Sequence, residues 1–292
     1  MQLLKIIANL PDAQVRGEDL DITGLSFDSR TVVPGELFIC IAGTNSDGHD
    51  YAKEAVTRGA VAVLAEYFLN LPPTIAQICV ADSRRSMAVI ARQFYNFPDR
   101  NLGLIGVTGT DGKTTTATLI TSILMSSHYS PGLISTVKRR IGTTDVLNLA
   151  HQTTLSSLES QKLLANMVDE GNDWAVIEAS SHGLDTGRLE GFEFDVAVFT
   201  RITSEHLDHH LTIAAYVEAK SVLLSLVLNS NKSLAKWAVL PAEDDHLEVL
   251  KSHSIGLNVL TYGQTPNADV RATNVKESLT GISFLAETPW GT

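Results

Sequence analysis

The chain has 292 residues, 44% hydrophobic and 19% charged, a balance typical of a globular protein with room for two domains. The formal net charge of −11 argues against a general nucleic-acid binder and leaves no polybasic patch for an anionic membrane. No apolar run approaches a membrane span and no signal-peptide pattern follows the N-terminus, so a cytoplasmic location is expected. The two cysteines, Cys40 and Cys79, lie in apolar runs, which favours buried free thiols over a disulfide or a metal site.

The first 98 residues have the pattern of a small α/β domain. Short apolar runs predict strands at residues 38–42, 60–65 and 78–81. Helical spacing predicts helices at residues 51–58 and 84–95. A turn-rich stretch at residues 96–99 predicts a linker, which divides the chain into domains of residues 1–98 and 99–292.

From residue 101 onward strands and helices alternate, which predicts a doubly wound, mostly parallel α/β sheet. The predicted strands are residues 102–107, 174–179, 194–200, 237–240 and 259–262. Ser156 and Glu159 form a capping-box pattern at the start of one helix. Thr212 is suited to cap another helix, which runs to about residue 228.

A glycine-rich turn, from Gly106 to Thr116, joins the strand at residues 102–107 to the next helix. Backbone N–H groups in such a turn face the phosphates of a nucleoside triphosphate; Lys113 would reach the outer phosphates and the Thr114 hydroxyl would bind Mg²⁺. Gly106 comes one residue too early for the strict phosphate-loop spacing, so an ordinary glycine-rich turn is the alternative. The apolar residues expected on one face of the helix are Leu119, Ile120, Ile123 and Leu124.

Acidic and histidine side chains follow two of the predicted strands. Glu178 ends one strand at the edge where open α/β sheets bind ligands, so it is suited to be a Mg²⁺ ligand or a base; a solvent-facing carboxylate is the alternative. His206, His209 and His210 follow another strand and suggest a cation site or phosphate contacts, with a solvated loop as the alternative. Zinc is only weakly supported, because no second pair of ligand residues at zinc spacing occurs elsewhere in the sequence.

Several basic residues are further candidates. Lys220 shares an apolar helix face with Leu223 and Leu224, where it either extends its amine to solvent or is desolvated and neutral. A neutral amine can add CO₂ and become a carbamate able to bind a metal. Arg188 and the run at residues 138–140 are candidates for contacts with an anionic substrate, or are simple surface charges.

Taken together, these motifs resemble the Mur ligase family, and within it most closely the UDP-N-acetylmuramoyl-tripeptide synthetase branch. The resemblance covers essentially the whole chain, and the longer glycine spacing of the phosphate loop is that family's own. The other motifs follow in the family's order. They are Asp28-Ser29-Arg30, Pro34 to Phe38, Asp47-Gly48-His49, Glu178 to His182, Leu184 to Arg188, Phe194 to Thr200, His206 to His210 and Ala219-Lys220.

The resemblance implies an ATP-dependent ligase of peptidoglycan synthesis. Such an enzyme converts a carboxylate of UDP-N-acetylmuramoyl-L-alanyl-D-glutamate to an acyl phosphate and joins it to an amino acid, here diaminopimelate or lysine. ATP would contact Gly109, Thr110, Asp111, Gly112, Lys113, Thr114 and Thr115. Catalytic or Mg²⁺-binding roles fall to Lys113, Thr114, Glu178, His206 and carbamylated Lys220. The UDP-linked substrate would contact Ser29, Thr44, Asn45, Thr153, Thr154, Ser180, Thr186 and Arg188.

The sequence departs from the family at several points. Leu155, Thr186 and Leu211 stand where proline, glutamine and glycine are common, which affects details of substrate contact. Residues 1–98 would bind the UDP-linked substrate and residues 99–292 would bind ATP. The third, C-terminal domain of the family is not matched, so a truncated monomeric ligase is expected. The alternatives are a non-catalytic nucleotide- or UDP-sugar-binding protein and a folylpolyglutamate synthetase, against which the Asp28-Ser29-Arg30 motif argues.

Overall fold

The computed structural model describes residues 1–10, 12–43, 46–148, 152–203, 205 and 207–292. Backbone contacts divide the chain into two compact units. The first unit comprises Met1–Pro98, Ser156–Ala165 and Gly187–Gly191, and the second comprises Asp99–Leu155, Asn166–Thr186 and Phe192–Thr292. The domain boundary at residue 98 stays a prediction, because two short later segments group with the first unit.

The first unit contains a five-stranded sheet in the order β1-β5-β4-β3-β2. Its strands are β1 (Gln14–Arg16), β2 (Gly24–Ser26), β3 (Glu36–Ile39), β4 (Ala62–Ala65) and β5 (Ala76–Cys79). Its helices are α1 (Leu3–Ile6), α2 (Ala52–Thr57) and α3 (Ser83–Phe94). Strands β2 to β5 run parallel and β1 pairs antiparallel with β5. The three predicted strands correspond to β3, β4 and β5, with starts or ends shifted by up to three residues.

Apolar side chains cover both faces of this sheet. Along β3 and just past it, Leu37 and Ile39 pack in one cluster while Phe38 and Cys40 pack in another. This alternation follows from the two-residue period of a strand. Both cysteines are free, as predicted, but only Cys40 is buried, where burial raises the pKa of its thiol to about 12. Cys79, at the end of β5, is half-buried, and its Sγ lies 3.5 Å from the Glu66 carbonyl oxygen.

The second unit contains a ten-stranded sheet in the order β15-β14-β13-β12-β11-β6-β10-β7-β8-β9. Its strands are β6 (Gly103–Thr108), β7 (Pro131–Ile134), β8 (Lys138–Ile141), β9 (Thr144–Leu147), β10 (Trp174–Glu178), β11 (Val196–Phe199), β12 (Trp237–Pro241), β13 (Asn258–Gly263), β14 (Val270–Ser278) and β15 (Gly281–Glu287). Its helices are α4 (Lys113–Ser126), α5 (Ser157–Asp169, whose first part groups with the first unit), α6 (Ser181–Asp185), α7 (Leu207–His210), α8 (Ile213–Leu228) and α9 (Leu247–His253).

The central strands of the second sheet run parallel, as the alternating pattern predicted, and antiparallel strands lie at both edges. Strand β6 is flanked by β10 on one side and β11 on the other. The chain passes from β6 to β7 and β10 on the first side and then crosses to β11 on the second. Ligands of open α/β sheets bind at the carboxyl ends of strands at such a point of reversal. The segments after β6, β10 and β11 therefore meet where the predicted phosphate loop begins.

Helix α4 does not present its apolar residues on a single buried face. Leu119 and Ile123 are 57% and 64% exposed, whereas Ile120 and Leu124 pack against the core of the sheet beside buried Ala117. The four residues span about 140° of the helix circumference, because successive residues lie about 100° apart, and only the part that carries Ile120 and Leu124 packs against the sheet.

The two predicted helix caps are present. Ser156 Oγ accepts from the backbone N–H of Glu159 at 3.2 Å, and Glu159 Oε2 accepts from the Ser156 N–H at 3.3 Å. Thr212 Oγ1 accepts from the Ala215 N–H at 3.1 Å at the start of α8. Within the described residues, no helix combines the length and apolar character needed to cross a membrane.

Candidate active site

The phosphate loop connects β6 to α4 and depends on two glycines with positive φ. Gly112 has φ +79° and precedes the first residue of α4, Lys113. Gly109 has φ +143°, and a Cβ at that position would lie 1.7 Å from Thr200 Oγ1. Only glycine fits there without displacing Thr200. The N–H groups of the first turn of α4 have no partner within the helix, which makes this end suited to an anion.

Two threonine hydroxyls hold the loop in place. Thr200, just past β11, has its Oγ1 2.6 Å from the carbonyl oxygen of Asp111 and 3.2 Å from that of Thr108. Thr110 Oγ1 accepts from the Thr203 N–H at 2.8 Å and lies 3.2 Å from the Tyr216 hydroxyl. The loop is thereby fixed by residues far along the chain. Sequence reasoning missed the part played by Thr200, although its position at a strand's carboxyl end was a signal.

Lys113 holds the loop as well. Its Nζ donates to the carbonyl oxygens of Gly109 at 3.0 Å and Thr110 at 2.7 Å. Burial lowers the pKa of Lys113, and the charges of Glu178, Glu205 and Asp111 oppose that shift. The ammonium group therefore lies at the loop, where the resemblance places the outer phosphates of ATP.

Glu178, at the end of β10, is fully buried and receives three hydrogen bonds. Thr136 donates through its N–H at 3.0 Å and its hydroxyl at 2.9 Å, and Thr114 donates through its hydroxyl at 3.1 Å. Carboxylate and hydroxyl oxygens are the ligands that Mg²⁺ prefers, so this pair of side chains fits such an ion. Thr136 was not predicted. It follows β7, a strand that begins with proline and glycine and gave no clear signal in the sequence.

Lys220 points from α8 into the same loop. Its side chain is 1% exposed, its Nζ donates to the Gly109 carbonyl oxygen at 2.7 Å, and it lies 4.3 Å from the centre of the Tyr216 ring. Burial, reinforced by the nearby charge of Lys113, lowers the pKa of Lys220 to about 7. Of the two alternatives for Lys220, the buried amine is the one observed. Two amino groups, from Lys113 and Lys220, share one carbonyl oxygen.

This buried amine predicts a dependence of stability on pH. Between about pH 7 and 10.5 Lys220 is protonated in the unfolded chain but largely neutral in the folded one, so its contribution makes the protein more stable as pH rises. In bicarbonate-free buffer, the free energy of unfolding of the wild type relative to Lys220→Met should rise between pH 7 and 9, with a slope approaching about 1.4 kcal/mol per pH unit. Urea unfolding at several pH values measures it, and parallel curves for the two proteins would contradict it.

Two predicted substrate residues adjoin Glu178. Thr154 Oγ1 donates to the Glu178 backbone carbonyl at 3.1 Å and accepts from the Ser180 N–H at 2.8 Å. The Ser180 hydroxyl caps α6 by accepting from the Gly183 N–H at 3.1 Å. Neighbouring Thr153 is half-buried. Thr186 hydrogen-bonds to the backbone of its own helix at the end of α6, so no described contact brings it to this group.

The remaining predicted substrate residues lie in the first unit or outside the described residues. Ser29 lines a cleft of about 550 Å³ together with Phe27, Arg30 and Tyr51, and its hydroxyl donates to Glu54 at 3.2 Å. Thr44 and Asn45 lie outside the described residues, as does His206 of the second unit.

Three further predictions concern Arg188, Thr115 and the basic run at residues 138–140. Burial lowers the pKa of half-buried Arg188, and the charge of Arg84 acts in the same direction. Thr115 is exposed in the first turn of α4.

The run of three basic residues occupies β8. There Lys138 and Arg140 pair with Asp145, and Arg139 donates to Asn148. These contacts connect β8 to β9 and the residue that follows it, and contact of the run with an anionic substrate stays a prediction.

The parallel sheet, the glycine turn and the lysine–threonine pair at the start of α4 define the second unit as an α/β unit of the phosphate-loop type. Two family profiles match the chain. The Mur ligase middle domain matches residues 107–292, and the catalytic domain of the Mur ligase family matches residues 21–96. The chain belongs to the Mur ligase family.

Individual relatives agree with this assignment. A UDP-N-acetylmuramoyl-L-alanyl-D-glutamate–2,6-diaminopimelate ligase from Geobacillus thermodenitrificans is 42% identical over 100% of this chain. A solved structure of a ligase of that name is 31% identical with a TM-score of 0.77, over 92% of this chain and 54% of that one. A Thermotoga maritima MurF ligase bound to ADP, 21% identical with a TM-score of 0.63, shares the fold over 93% of this chain and 57% of its own. The chain spans 59% of the length of the Geobacillus relative.

Proposed function

We propose that this chain is the substrate- and ATP-binding part of a ligase that adds 2,6-diaminopimelate to UDP-N-acetylmuramoyl-L-alanyl-D-glutamate in peptidoglycan synthesis. The observation that carries the proposal is the convergence of Lys113, Thr114, Glu178 and Lys220 on one phosphate loop, in a chain of the Mur ligase family. Diaminopimelate is preferred to lysine because the relatives at about 40% identity are named for it.

The proposed reaction has two steps. The substrate carboxylate attacks the γ-phosphorus of ATP, the bond to the ADP oxygen breaks, and an acyl phosphate forms. The amine of diaminopimelate then attacks the acyl carbon, inorganic phosphate leaves, and the amine loses a proton to give an amide. Phosphoryl transfer of this kind depends mainly on positioning and on stabilising negative charge. Lys113 and the N–H groups at the start of α4 supply positive charge and donors on the loop.

Thr114 would hold one Mg²⁺ beside the ATP phosphates, and Glu178 would hold a second Mg²⁺ near the γ-phosphate together with His206, as the resemblance implies. When bound, Mg²⁺ would offset the charge of the transferring phosphoryl group. Lys220 can carry a carbamate because its buried amine has a pKa of about 7, so a neutral fraction is available to add CO₂ with loss of a proton. The carbamate would place a negative charge beside Lys113 and the cation.

The UDP group would occupy the cleft at Ser29 in the first unit, and the muramoyl peptide would contact Thr154, Ser180 and Arg188. We further propose a cytoplasmic location, because the proposed reaction uses ATP and a UDP-linked precursor, and a monomeric state, as the resemblance implies.

Ligation is tested by incubating the chain with Mg²⁺-ATP, the UDP-linked dipeptide and a panel of amino acids that includes diaminopimelate and lysine. Mass spectrometry should detect a product with diaminopimelate, which would show that these residues suffice. If the chain binds both ATP and the UDP-linked dipeptide but forms no product, the binding part of the proposal stands and catalysis needs further residues. Failure to bind the UDP-linked dipeptide would overturn the proposal.

ATP binding is tested separately. Lys113→Met should weaken ATP binding by roughly 10- to 100-fold, because a charge-assisted hydrogen bond to phosphate is lost. Exposed Lys251 on α9, whose ammonium pairs with Glu248 at 3.0 Å, provides the control Lys251→Met, which should bind as the wild type does. Isothermal titration with an ATP analogue measures both. Unchanged affinity in Lys113→Met would contradict the assignment of the loop.

A further inference from the structure

A second group of metal-binding side chains lies where α6 and α7 approach each other. Asp185 ends α6, and His209 and His210 end α7. One carboxylate oxygen and one ring nitrogen from each histidine all lie within 4.8 Å of one another. Among the residues that the structure describes, no other set of three histidine, cysteine or acidic side chains meets this condition.

The geometry of the group goes beyond a single ion pair. His209 Nε2 lies 2.9 Å from Asp185 Oδ2, which an ordinary histidine–carboxylate contact explains. The ring of His210, the next residue in the chain, lies 4.6 Å from the His209 ring, and the His182 ring of α6 lies 4.5 Å from the same ring. Three imidazoles and a carboxylate thus gather at the ends of two short helices.

The group combines a buried side with an open one. His210 is 7% exposed, whereas the side chains of His209 and Asp185 are 36% and 49% exposed. An ion could therefore enter from solvent and reach a donor that the fold holds in place. Nitrogen donors from imidazole suit zinc and its neighbours in the first transition series, whereas Mg²⁺ prefers oxygen.

We propose that Asp185, His209 and His210 form a zinc-type site, whose ligands differ from Thr114, Glu178 and His206, the residues proposed for Mg²⁺. Two histidines and one carboxylate leave the fourth position of a tetrahedral ion to water, the ligand count of open zinc sites. Zn²⁺ would bind an unprotonated ring nitrogen of each histidine, so a neutral ring carries its proton on the other nitrogen and only a charged ring would release a proton to solvent. Small side-chain rotations bring the donors to bonding distances of about 2.1 Å.

A comparison pair within the same unit provides a matched control. His253 Nε2 lies 3.1 Å from Glu218 Oε1, so it forms the same kind of histidine–carboxylate contact with similar exposure of its ring. No third ligand from the described residues completes a metal group there. We therefore expect Zn²⁺ to bind at the His209–Asp185 pair and not at the His253–Glu218 pair.

The test is titration of the full chain with Zn²⁺ and, in parallel, with Co²⁺, whose visible absorption reports on coordination geometry. We expect one Zn²⁺ per chain, retained in excess Mg²⁺, and a Co²⁺ spectrum of low coordination number. His209→Gln and Asp185→Asn should each weaken Zn²⁺ binding at least about tenfold and abolish the Co²⁺ band, whereas His253→Gln should change neither.

Both substituted side chains at the site are partly exposed, so these variants should keep the wild-type thermal unfolding, and circular dichroism checks that they do. Absence of stoichiometric Zn²⁺ binding to the wild type would overturn the proposal. So would Zn²⁺ binding that survives in both His209→Gln and Asp185→Asn, or that is lost equally in His253→Gln.

Discussion

Replacing Lys232 with methionine is expected to lower the free energy of unfolding of the second unit by about 3–5 kcal/mol. Lys232 forms a buried ion pair with Asp195, and the two side chains are only 8% and 2% exposed. Its Nζ also donates to the carbonyl oxygens of Leu102 at 2.6 Å and Glu193 at 3.2 Å. Methionine fills similar space but leaves the charge of the buried Asp195 carboxylate uncompensated. The Leu104 N–H, which donates to that carboxylate at 2.7 Å, would remain as a hydrogen-bond donor.

This effect can be measured selectively. All three tryptophans of the chain, Trp174, Trp237 and Trp290, belong to the second unit, so urea unfolding followed by tryptophan fluorescence reports on that unit. The control is Lys236→Met, since half-buried Lys236 donates to the Leu228 carbonyl at 2.7 Å rather than to a buried carboxylate. That variant should shift stability by less than about 1 kcal/mol. Equal effects of the two substitutions would contradict the importance of the buried pair.

Gly109→Ala is expected to abolish measurable ATP binding and to destabilise the second unit by about 1–3 kcal/mol. The new Cβ would lie 1.7 Å from Thr200 Oγ1 and 2.9 Å from Thr200 Cβ, so the loop or the end of β11 must move. Either movement displaces the Gly109 carbonyl from Lys113 and Lys220, both of which donate to it.

The matched control is Gly171→Ala. Gly171 also has a positive φ, +75°, but no atom lies within 4 Å of its Cβ position. Alanine there should lower stability by only about 1 kcal/mol, through the left-handed backbone alone, and leave ATP affinity unchanged. Titration calorimetry and urea unfolding measure both variants. If the Gly109→Ala variant binds ATP with wild-type affinity, the loop is not the nucleotide site.

The central sheet and the phosphate loop could be predicted because their signals are local. The apolar runs of β6, β10 and β11 and the glycine turn can each be read within a dozen residues. The placement of Glu178 also followed from sequence, since the carboxyl end of a parallel strand is a definite position in the fold.

What could not be predicted depends on contacts between distant parts of the chain. Thr136 meets Glu178, and Thr200 meets Asp111, only after the strands are ordered in the sheet. The pair of Lys232 and Asp195 is likewise invisible in the sequence. Helix α4 shows the same limit. Its apolar pattern does not say whether Leu119 and Ile123 or Ile120 and Leu124 will face the sheet.

The shared carbonyl oxygen of Gly109 links two chemical events. In the structure Lys113 and Lys220 both donate to it, and burial together with the charge of Lys113 lowers the pKa of Lys220. A phosphate that draws Lys113 outward would leave the oxygen to Lys220 and remove a repulsion that keeps its pKa low. By thermodynamic reciprocity, the charge state of Lys220 must then change the affinity for phosphate by the same factor. Through the Gly109 carbonyl oxygen, the binding of nucleotide and the protonation of Lys220 are therefore thermodynamically coupled.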